Sequence, residues 1–288
     1  MATVDGSTEE RLERGELLFH TQCPFALLPD DDLSFLRAQR LVRYAHKNIS
    51  FDPVTGRLTG HVRRGEPQTE RLRNLLGAFS RSVTTWLHHT FPHYQQGCVP
   101  DRATLRSEEE ATRCLRHTAR NDLLHLDAFP TRPANGRRIL RVYVNIHTSE
   151  PRVWVTSDPF AKLFARYAEK VGLPGRNAGW LEQVGESVLR IFRPGRRHRS
   201  AYDSFMLRFH DFLKREDGFQ EKGSKRLWSF PPGSTWLAMT DACSHAVLRG
   251  RFALEHSFFV ATEVLRVPEE SPVVYLARAC GRAVHEAA

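Results

Sequence analysis

The sequence of 288 residues lacks any uninterrupted run of about 18 apolar residues, the length that a membrane-spanning helix needs. Its first residues, MATVDGSTEERLERGELLF, are polar and acidic, and they lack the basic and apolar segments of a secretory signal. We therefore expect neither a membrane-spanning helix nor an export signal, and we expect the protein to stay in the cytoplasm.

Cysteine is also scarce. The five cysteines are odd in number, widely spaced, and include no Cys-x-x-Cys pair. This pattern argues against a disulfide framework and against a structural zinc site. Reduced thiols are expected, as in a cytoplasmic protein.

The sequence has an excess of positive charge. Lysine and arginine number 42 against 33 aspartates and glutamates, a net charge of +9, and most of the basic residues are arginine. Such an excess predicts an anionic partner, which can be nucleic acid, an acidic sugar or the surface of an anionic membrane. The plain alternative is a basic protein without any such partner.

Hydrophobic periodicity predicts a mixed α+β protein. Helices are predicted over residues 9–19, from a cap at residues 29–32 through residue 44, and over residues 68–91, 158–171 and 202–214. Strands are predicted over residues 46–53, 138–146, 153–155, 227–230, 235–239, 244–248 and 252–260. Strand pairs that flank helical insertions predict one antiparallel jelly roll wrapped by helices. This single domain would span 1–288, with a mainly helical N-terminal region 1–120, a core 121–265 that contains a helical insertion 158–216, and a tail 266–288.

A His-x-Asp motif stands at residues 125–127. Side chains alternate along a strand, so His125 and Asp127 project to the same side, about 7 Å apart along the chain. With a second histidine they would form the facial triad of non-haem Fe(II) oxygenases, which leaves three coordination positions for a cosubstrate and dioxygen. The alternative is a surface strand end at which Asp127 begins a turn, because a chain with 14 histidines contains such a tripeptide by chance.

The strand after the motif has two different faces. One face carries Leu140, Val142, Val144 and Ile146, and the other carries Ile139, Arg141, Tyr143 and Asn145. We expect the polar face to line the mouth of a barrel pocket, where Arg141 would bind a dicarboxylate through both guanidinium N–H groups. A half-buried strand with a solvated outer face fits the same pattern.

Four later histidines are candidates for the third ligand: His198, His210, His245 and His256. His198 lies in the basic run 193–199, and His210 lies on an amphipathic helix, where packing or exposure is expected. His245 opens a strand where a double-stranded β-helix returns to its first strand pair, and we favour it. His256 is the alternative ligand, and it could also line the cosubstrate pocket or pack in the core.

Several segments together resemble the Kdo hydroxylase family. They are HKNISFDP from His46, LLHLDAFPTRP from Leu123, GRRILRVYVNI from Gly136, YDSFMLRFHDFLK from Tyr202 and FPPGSTWLAMTDACSHAVLRGRFALEHSFF from Phe230. Members of this family use Fe(II) and 2-oxoglutarate to add a 3-hydroxyl to 3-deoxy-D-manno-oct-2-ulosonic acid (Kdo) in lipopolysaccharide. The resemblance implies a double-stranded β-helix, iron held by His125, Asp127 and His245, and 2-oxoglutarate as cosubstrate.

The cosubstrate-binding residues are predicted from the alternation of side chains along the strands, and not from the resemblance. Arg141 is predicted to bind the cosubstrate carboxylate, with Arg251 as the alternative, and Tyr143, Asn145 and His256 are predicted to complete that pocket. The family has glutamine more often than histidine at position 256, so the resemblance itself gives His256 no role.

The resemblance also implies the partners. Dioxygen and Kdo linked to lipid A are the expected substrates, and the basic run suggests peripheral binding at the inner face of the membrane. Two rivals are a nucleic-acid oxygenase of the same fold and a metal-free jelly roll that binds an acidic sugar. A regulatory or structural protein is the remaining alternative, and we expect no nucleic-acid partner.

Overall fold

A computed structural model of the chain describes residues 7–42, 47–174 and 199–284. Ten strands lie in these ranges: β1 Leu18–His20, β2 Ile49–Phe51, β3 Leu58–Thr59, β4 Cys98–Arg106, β5 Arg138–Asn145, β6 Arg152–Pro159, β7 Arg226–Phe230, β8 Thr235–Met239, β9 Cys243–Arg249 and β10 Ala253–Val260. The α-helices there are α1 Thr8–Glu13, α2 Asp30–Arg37, α3 Glu66–Thr90, α4 Phe160–Val171, α5 Ala201–Arg215, α6 Asp217–Lys222 and α7 Pro272–Cys280.

The strands form two antiparallel sheets. The larger has the order β1-β8-β5-β10-β4-β2-β3, and the smaller has the order β7-β6-β9. Aromatic side chains from both sheets pack between them, with Tyr143 stacked on Trp236 at 5.2 Å and in edge contact with Trp154 at 4.8 Å. The predicted α+β jelly roll, a double-stranded β-helix, is confirmed by this arrangement.

Helix α3 covers the outer face of the larger sheet. Its apolar residues recur at helical spacing and are buried: Leu72, Leu75, Leu76, Phe79, Val83 and Leu87. The predicted range 68–91 is correct within two residues. Helices α4, α5 and α7 pack together through aromatic contacts such as Phe160 with Phe209 and Phe164 with Phe205, both at 5.8 Å.

The first two helices are shorter than predicted. Helix α1 ends at Glu13 instead of residue 19, because residues 18–20 pair with β8 at the edge of the sheet. Helix α2 ends at Arg37 instead of residue 44, because Leu41 pairs with His61 in an isolated bridge. Tyr44 and His46, named in the predictions, lie outside the described residues.

Strand β4 was not predicted. It lies inside the larger sheet between β10 and β2, so the core begins well before residue 121, and the N-terminal region 1–120 contributes four strands as well as helices. Its period-two pattern is broken at Pro100 and Asp101, where the pairing with β10 shifts register at Ser257/Phe258. The polar residues of β4 make it difficult to predict as a strand from the sequence. They line the central pocket and include Arg102 and Arg106.

Among the described residues, no helix is both long enough and apolar enough to cross a membrane.

Candidate metal centre

The His-x-Asp segment is fastened to the smaller sheet by backbone hydrogen bonds. The N–H of His125 donates to the carbonyl of His245 at 3.1 Å, and the reverse bond is 2.9 Å. The N–H of Asp127 donates to the carbonyl of Thr240 at 2.8 Å. These bonds bring three buried side chains together. The His125 Nε2 lies 3.8 Å from one Asp127 oxygen, and the His245 Nε2 lies 4.0 Å from the other.

The orientation of both imidazoles is set by their own backbone. The His125 Nδ1 lies 2.7 Å from the carbonyl oxygen of Leu123, and the His245 Nδ1 lies 2.9 Å from that of Cys243. Each Nδ1 therefore carries the donated proton, which leaves a lone pair on each Nε2 at the centre. Burial lowers the pKa of His125 and of His245, so both rings are neutral.

Asp127 is ionised. Burial alone would raise the pKa of its carboxyl, but the Arg141 guanidinium, 3.1 Å from Oδ2, outweighs that effect and the pKa falls to about 2. Although this ion pair is close, Oδ2 accepts no well-directed hydrogen bond among the described residues. A buried carboxylate oxygen with spare acceptor capacity beside two imidazole lone pairs fits a divalent metal ion. Two histidines and one carboxylate are the donor set of non-haem Fe(II) centres.

The three groups open into a cavity of about 760 Å³. Arg141 and Tyr143 both line it, as the alternation along their strand predicted. Strand β5 is buried along its whole length, so the alternative of a solvated outer face is wrong.

Sequence reasoning missed Arg106, because it missed β4. Glu255 of β10 accepts hydrogen bonds from Arg106, and its other oxygen lies 3.1 Å from Arg141. Burial alone would raise the pKa of Glu255, but Arg106 and Arg141 lower it. The cavity wall beside the triad therefore holds two buried guanidinium groups around one carboxylate.

Three predicted cosubstrate residues lie elsewhere, and two of them hold backbone carbonyls. The Asn145 side chain donates to the carbonyls of Glu150 and Phe230 and anchors a turn. Arg251 donates to the carbonyl of Ser107. Both residues are near strand ends, where side chains bind otherwise unpaired backbone carbonyls.

The third, His256, faces away from the cavity. Its Nε2 lies 2.7 Å from Ser80 Oγ of α3, and its ring lies 6.5 Å from that of Phe79. The period of two explains this, because Glu255, its neighbour on β10, points into the cavity. The prediction that His256 lines the cosubstrate pocket is wrong, and the core position that sequence analysis kept open is correct.

His210 is packed, as one of the two predicted alternatives has it, but it also lines the cavity, which was not predicted. Its Nδ1 lies 2.7 Å from the carbonyl oxygen of Leu126, and its ring meets that of His125 edge-on with centroids 5.0 Å apart. The available signal was the spacing of His210 and Lys214, which places both on one face of α5. His198 and residues 193–198 of the basic run lie outside the described residues. Arg199, the last of the run, donates to the carbonyl of Pro130 at the cavity edge.

Comparisons with known proteins point to one family. Residues 2–283 match the model of the 3-deoxy-D-manno-oct-2-ulosonic acid (Kdo) hydroxylase family. The apo structure of the Kdo hydroxylase KdoO matches with a TM-score of 0.84 and 32% identity, over 96% of this chain and 90% of that one. A cobalt(II) complex of KdoO matches with a TM-score of 0.85 and 31% identity, and a complex with α-ketoglutarate and Fe(III) with 0.83 and 31%, at the same coverage. No match was found among curated protein sequences.

Proposed function

The chain belongs to the Kdo hydroxylase family of non-haem Fe(II)- and 2-oxoglutarate-dependent dioxygenases, and on that premise we propose that His125, Asp127 and His245 hold its iron. The observation that carries this proposal is the convergence of their ligand atoms within 4.8 Å of one another in a buried site. Both imidazoles are neutral with Nε2 directed inward, and Asp127 is ionised, so each residue is already in the protonation state that a ligand needs.

The iron, when bound, supplies the oxidation of 2-oxoglutarate and of a substrate C–H bond by dioxygen. The work of the protein is to hold the groups in place. Trp154 stacks on the His245 ring at 5.1 Å, and His210 packs edge-on against the His125 ring. Packing of this kind keeps the two imidazoles from rotating.

We assign 2-oxoglutarate to the wall formed by Arg141, Arg106 and Tyr143. The Arg141 Nη1 and Nη2 atoms already meet Glu255 and Asp127, but its Nε is buried and without a hydrogen-bond partner among the described residues. A buried donor without a partner is costly, and a carboxylate oxygen of the cosubstrate would satisfy it. Tyr143, whose hydroxyl lies 3.3 Å from Arg141, would add a neutral donor.

We propose Kdo linked to lipid A as the substrate, hydroxylated at C3. Seven basic and three acidic residues line the cavity, so its inner surface attracts an anion. Kdo carries a carboxylate and lipid A carries phosphates, which matches that excess of positive charge.

The mouth of the cavity supports binding at an anionic membrane surface. Arg57 and Thr59 line both the cavity and an adjoining surface hollow, which also contains Val42 and Arg63. Val54, at the tip of the β2–β3 hairpin, is 76% exposed. Exposed valines beside arginines are typical of surfaces that rest on anionic lipid head groups. We therefore place the enzyme peripherally at the leaflet that presents the lipid A precursor.

The test is mass spectrometry of Kdo-lipid A after incubation with the purified protein, Fe(II), 2-oxoglutarate and air. We expect a gain of one oxygen atom, about 16 Da, on Kdo. His125→Ala and His245→Ala should give no product, whereas His256→Gln should keep activity because His256 faces α3. An unchanged Kdo mass together with oxidation of methylated nucleic acid would replace this proposal with the nucleic-acid rival.

A further inference from the structure

Lys214 of α5 is a buried cation with no carboxylate partner among the described residues. The residue is 2% exposed, and it lines the cavity. Its ammonium group donates to the carbonyls of Thr118 at 2.9 Å and Arg120 at 2.6 Å. An ammonium group has three N–H donors, so one remains for a ligand in the cavity.

The other cations of the cavity are in different situations. Four are paired with carboxylates: Arg141 with Asp127 and Glu255, Arg106 with Glu255, Arg102 with Asp52, and Arg132 with Asp101. Arg57 is exposed at the mouth, where water solvates it. Lys214 alone combines burial with the lack of a described counter-ion, an arrangement that is costly unless a bound anion supplies the charge.

Lys47 adds a second positive charge. It lies at the rim of the same cavity and forms no ion pair with the described residues. Burial lowers the pKa of Lys214 to about 8, and the charge of Lys47 contributes to that shift. The pKa of Lys47 is lowered too, first by desolvation against the cavity wall and then by Arg106. With a pKa of about 8, Lys214 is protonated at neutral pH, and no carboxylate of the described residues forms an ion pair with Lys214 or Lys47.

Lys214 also lies close to the metal centre. It follows His210 by four residues, so the two side chains share one face of α5, about one helical turn of 5.4 Å apart. The His210 ring contacts the ring of His125, one of the proposed metal ligands. An anion bound by Lys214 would therefore lie near the metal and deep below the mouth.

The chemistry of Kdo requires such a deep cation. Kdo is an ulosonic acid, in which the carboxylate is C1 and the deoxy carbon C3 is separated from it only by C2. A group that holds the carboxylate must lie next to the metal if C3 is to be oxidised there. The guanidinium groups of Arg106 and Arg141 are engaged with Glu255 and assigned to the cosubstrate, which leaves the lysines.

We propose that Lys214, assisted by Lys47, binds the C1 carboxylate of Kdo and thereby presents C3 to the metal. This inference rests on the proposed function. It assigns a separate site for the sugar carboxylate, distinct from the arginine wall that holds 2-oxoglutarate.

The test compares two sugars that differ in one charge. Protein loaded with Fe(II) and 2-oxoglutarate under argon is titrated calorimetrically with the methyl glycoside of Kdo and with its C1 carboxamide, both of which lack phosphate. Wild type should prefer the carboxylate by about 10- to 100-fold, the contribution of a charge-assisted hydrogen bond. Lys214→Met should lose most of this preference, and Lys47→Met should lose a smaller share because Lys47 is at the rim. Lys222→Met, an exposed lysine on α6, is the matched control and should behave as wild type.

The outcomes distinguish this inference from the proposed function. If wild type hydroxylates Kdo and Lys214→Met retains the full preference for the carboxylate, the inference is overturned while the proposed function stands. If wild type binds neither sugar and adds no oxygen to Kdo, both are overturned. Should Lys214→Met fail to fold, Lys214→Gln decides in the same way, because its amide still donates to a backbone carbonyl while carrying no charge.

Discussion

The two sides of β10 are both buried, yet the polar groups of the residues around them are satisfied differently. Glu255 and Ser257 point into the cavity, whereas His256 points at α3. On the α3 side, His256 has Ser80 Oγ at 2.7 Å and the carbonyl oxygen of Ser257 at 3.0 Å, so both ring nitrogens have partners. On the cavity side, buried atoms such as Arg141 Nε lack a partner among the described residues.

This difference separates a binding site from a packed core. Most buried polar groups in natural proteins are satisfied, so two unsatisfied atoms that line one cavity beside the proposed ligands, Arg141 Nε and Asp127 Oδ2, support a binding site there. His245 and His256 are similarly buried, and burial alone would not have told them apart. Their neighbours distinguish the two histidines, because the His245 Nε2 faces the ionised carboxylate of Asp127 whereas the His256 Nε2 is bonded to Ser80 of α3.

The largest effect is expected at the metal ligand itself. Asp127→Asn replaces the ionised oxygen between the two imidazoles with a neutral amide. The loss of Fe(II) or cobalt(II) affinity should exceed the about 10- to 100-fold that removal of an outer partner of a metal ligand costs. Metal binding by calorimetry measures it. Near-normal metal affinity in this variant would remove Asp127 from the proposed site.

A second prediction concerns how much the buried charges of Glu255, Arg106 and Arg141 contribute to stability. Glu255→Gln leaves the buried Arg106 and Arg141 without their shared carboxylate, so we expect a loss of about 3–5 kcal/mol in the free energy of unfolding. Denaturant titration measures this loss. Glu16→Gln breaks an exposed pair with Arg11 and should cost less than about 1 kcal/mol. Equal effects of the two changes would mean that the buried network adds nothing to stability.

On the side of β10 that faces α3, the titration of His256 should make the free energy of unfolding depend on pH. Burial lowers the pKa of His256 to about 4 from an ordinary value near 6.5, so between these values the unfolded state binds a proton that the folded state does not. Stability contributed by neutral His256 is complete above pH 6.5 and decreases by about 3 kcal/mol as the pH falls to 4. His256→Gln should flatten the unfolding free energy over this range relative to wild type. The same slope in both proteins would assign the titration to other groups.

The smallest expected effect concerns the cosubstrate. Arg141→Leu removes the unpaired Nε donor and should raise the KM for 2-oxoglutarate by about 10- to 100-fold, more than the KM for the sugar. Steady-state kinetics with each substrate varied in turn gives both values. Arg251→Leu is the control, because Arg251 binds the Ser107 carbonyl outside the cavity and should leave the KM for 2-oxoglutarate unchanged. If Arg251→Leu raised the KM for 2-oxoglutarate and Arg141→Leu did not, Arg251 would be the residue that binds the cosubstrate.

Much of the site was predictable because its signals are local. The His-x-Asp spacing and the alternation from residue 138 to 146 depend on neighbours in the chain, and together they direct His125, Asp127, Arg141 and Tyr143 to the cavity. Asn145 and Arg251 were mistaken because alternation and charge do not reveal which backbone carbonyls near a strand end need a partner. The cavity positions of His210 and Lys214 were not predicted for a similar reason, since only the docking of α5 decides which neighbours its polar face contacts.

The sequence by itself determined the family, the jelly-roll class, the chemistry of the three proposed ligands and the direction of Arg141. The tertiary structure alone decided that β4 belongs to the core, that His256 faces α3, and that a buried lysine lies near the proposed metal ligands. The physical reason is distance along the chain. Thr104 of β4 pairs with Glu255 of β10, so the polar residues that conceal this strand in the sequence are explained only when that long-range pairing forms the wall of the cavity.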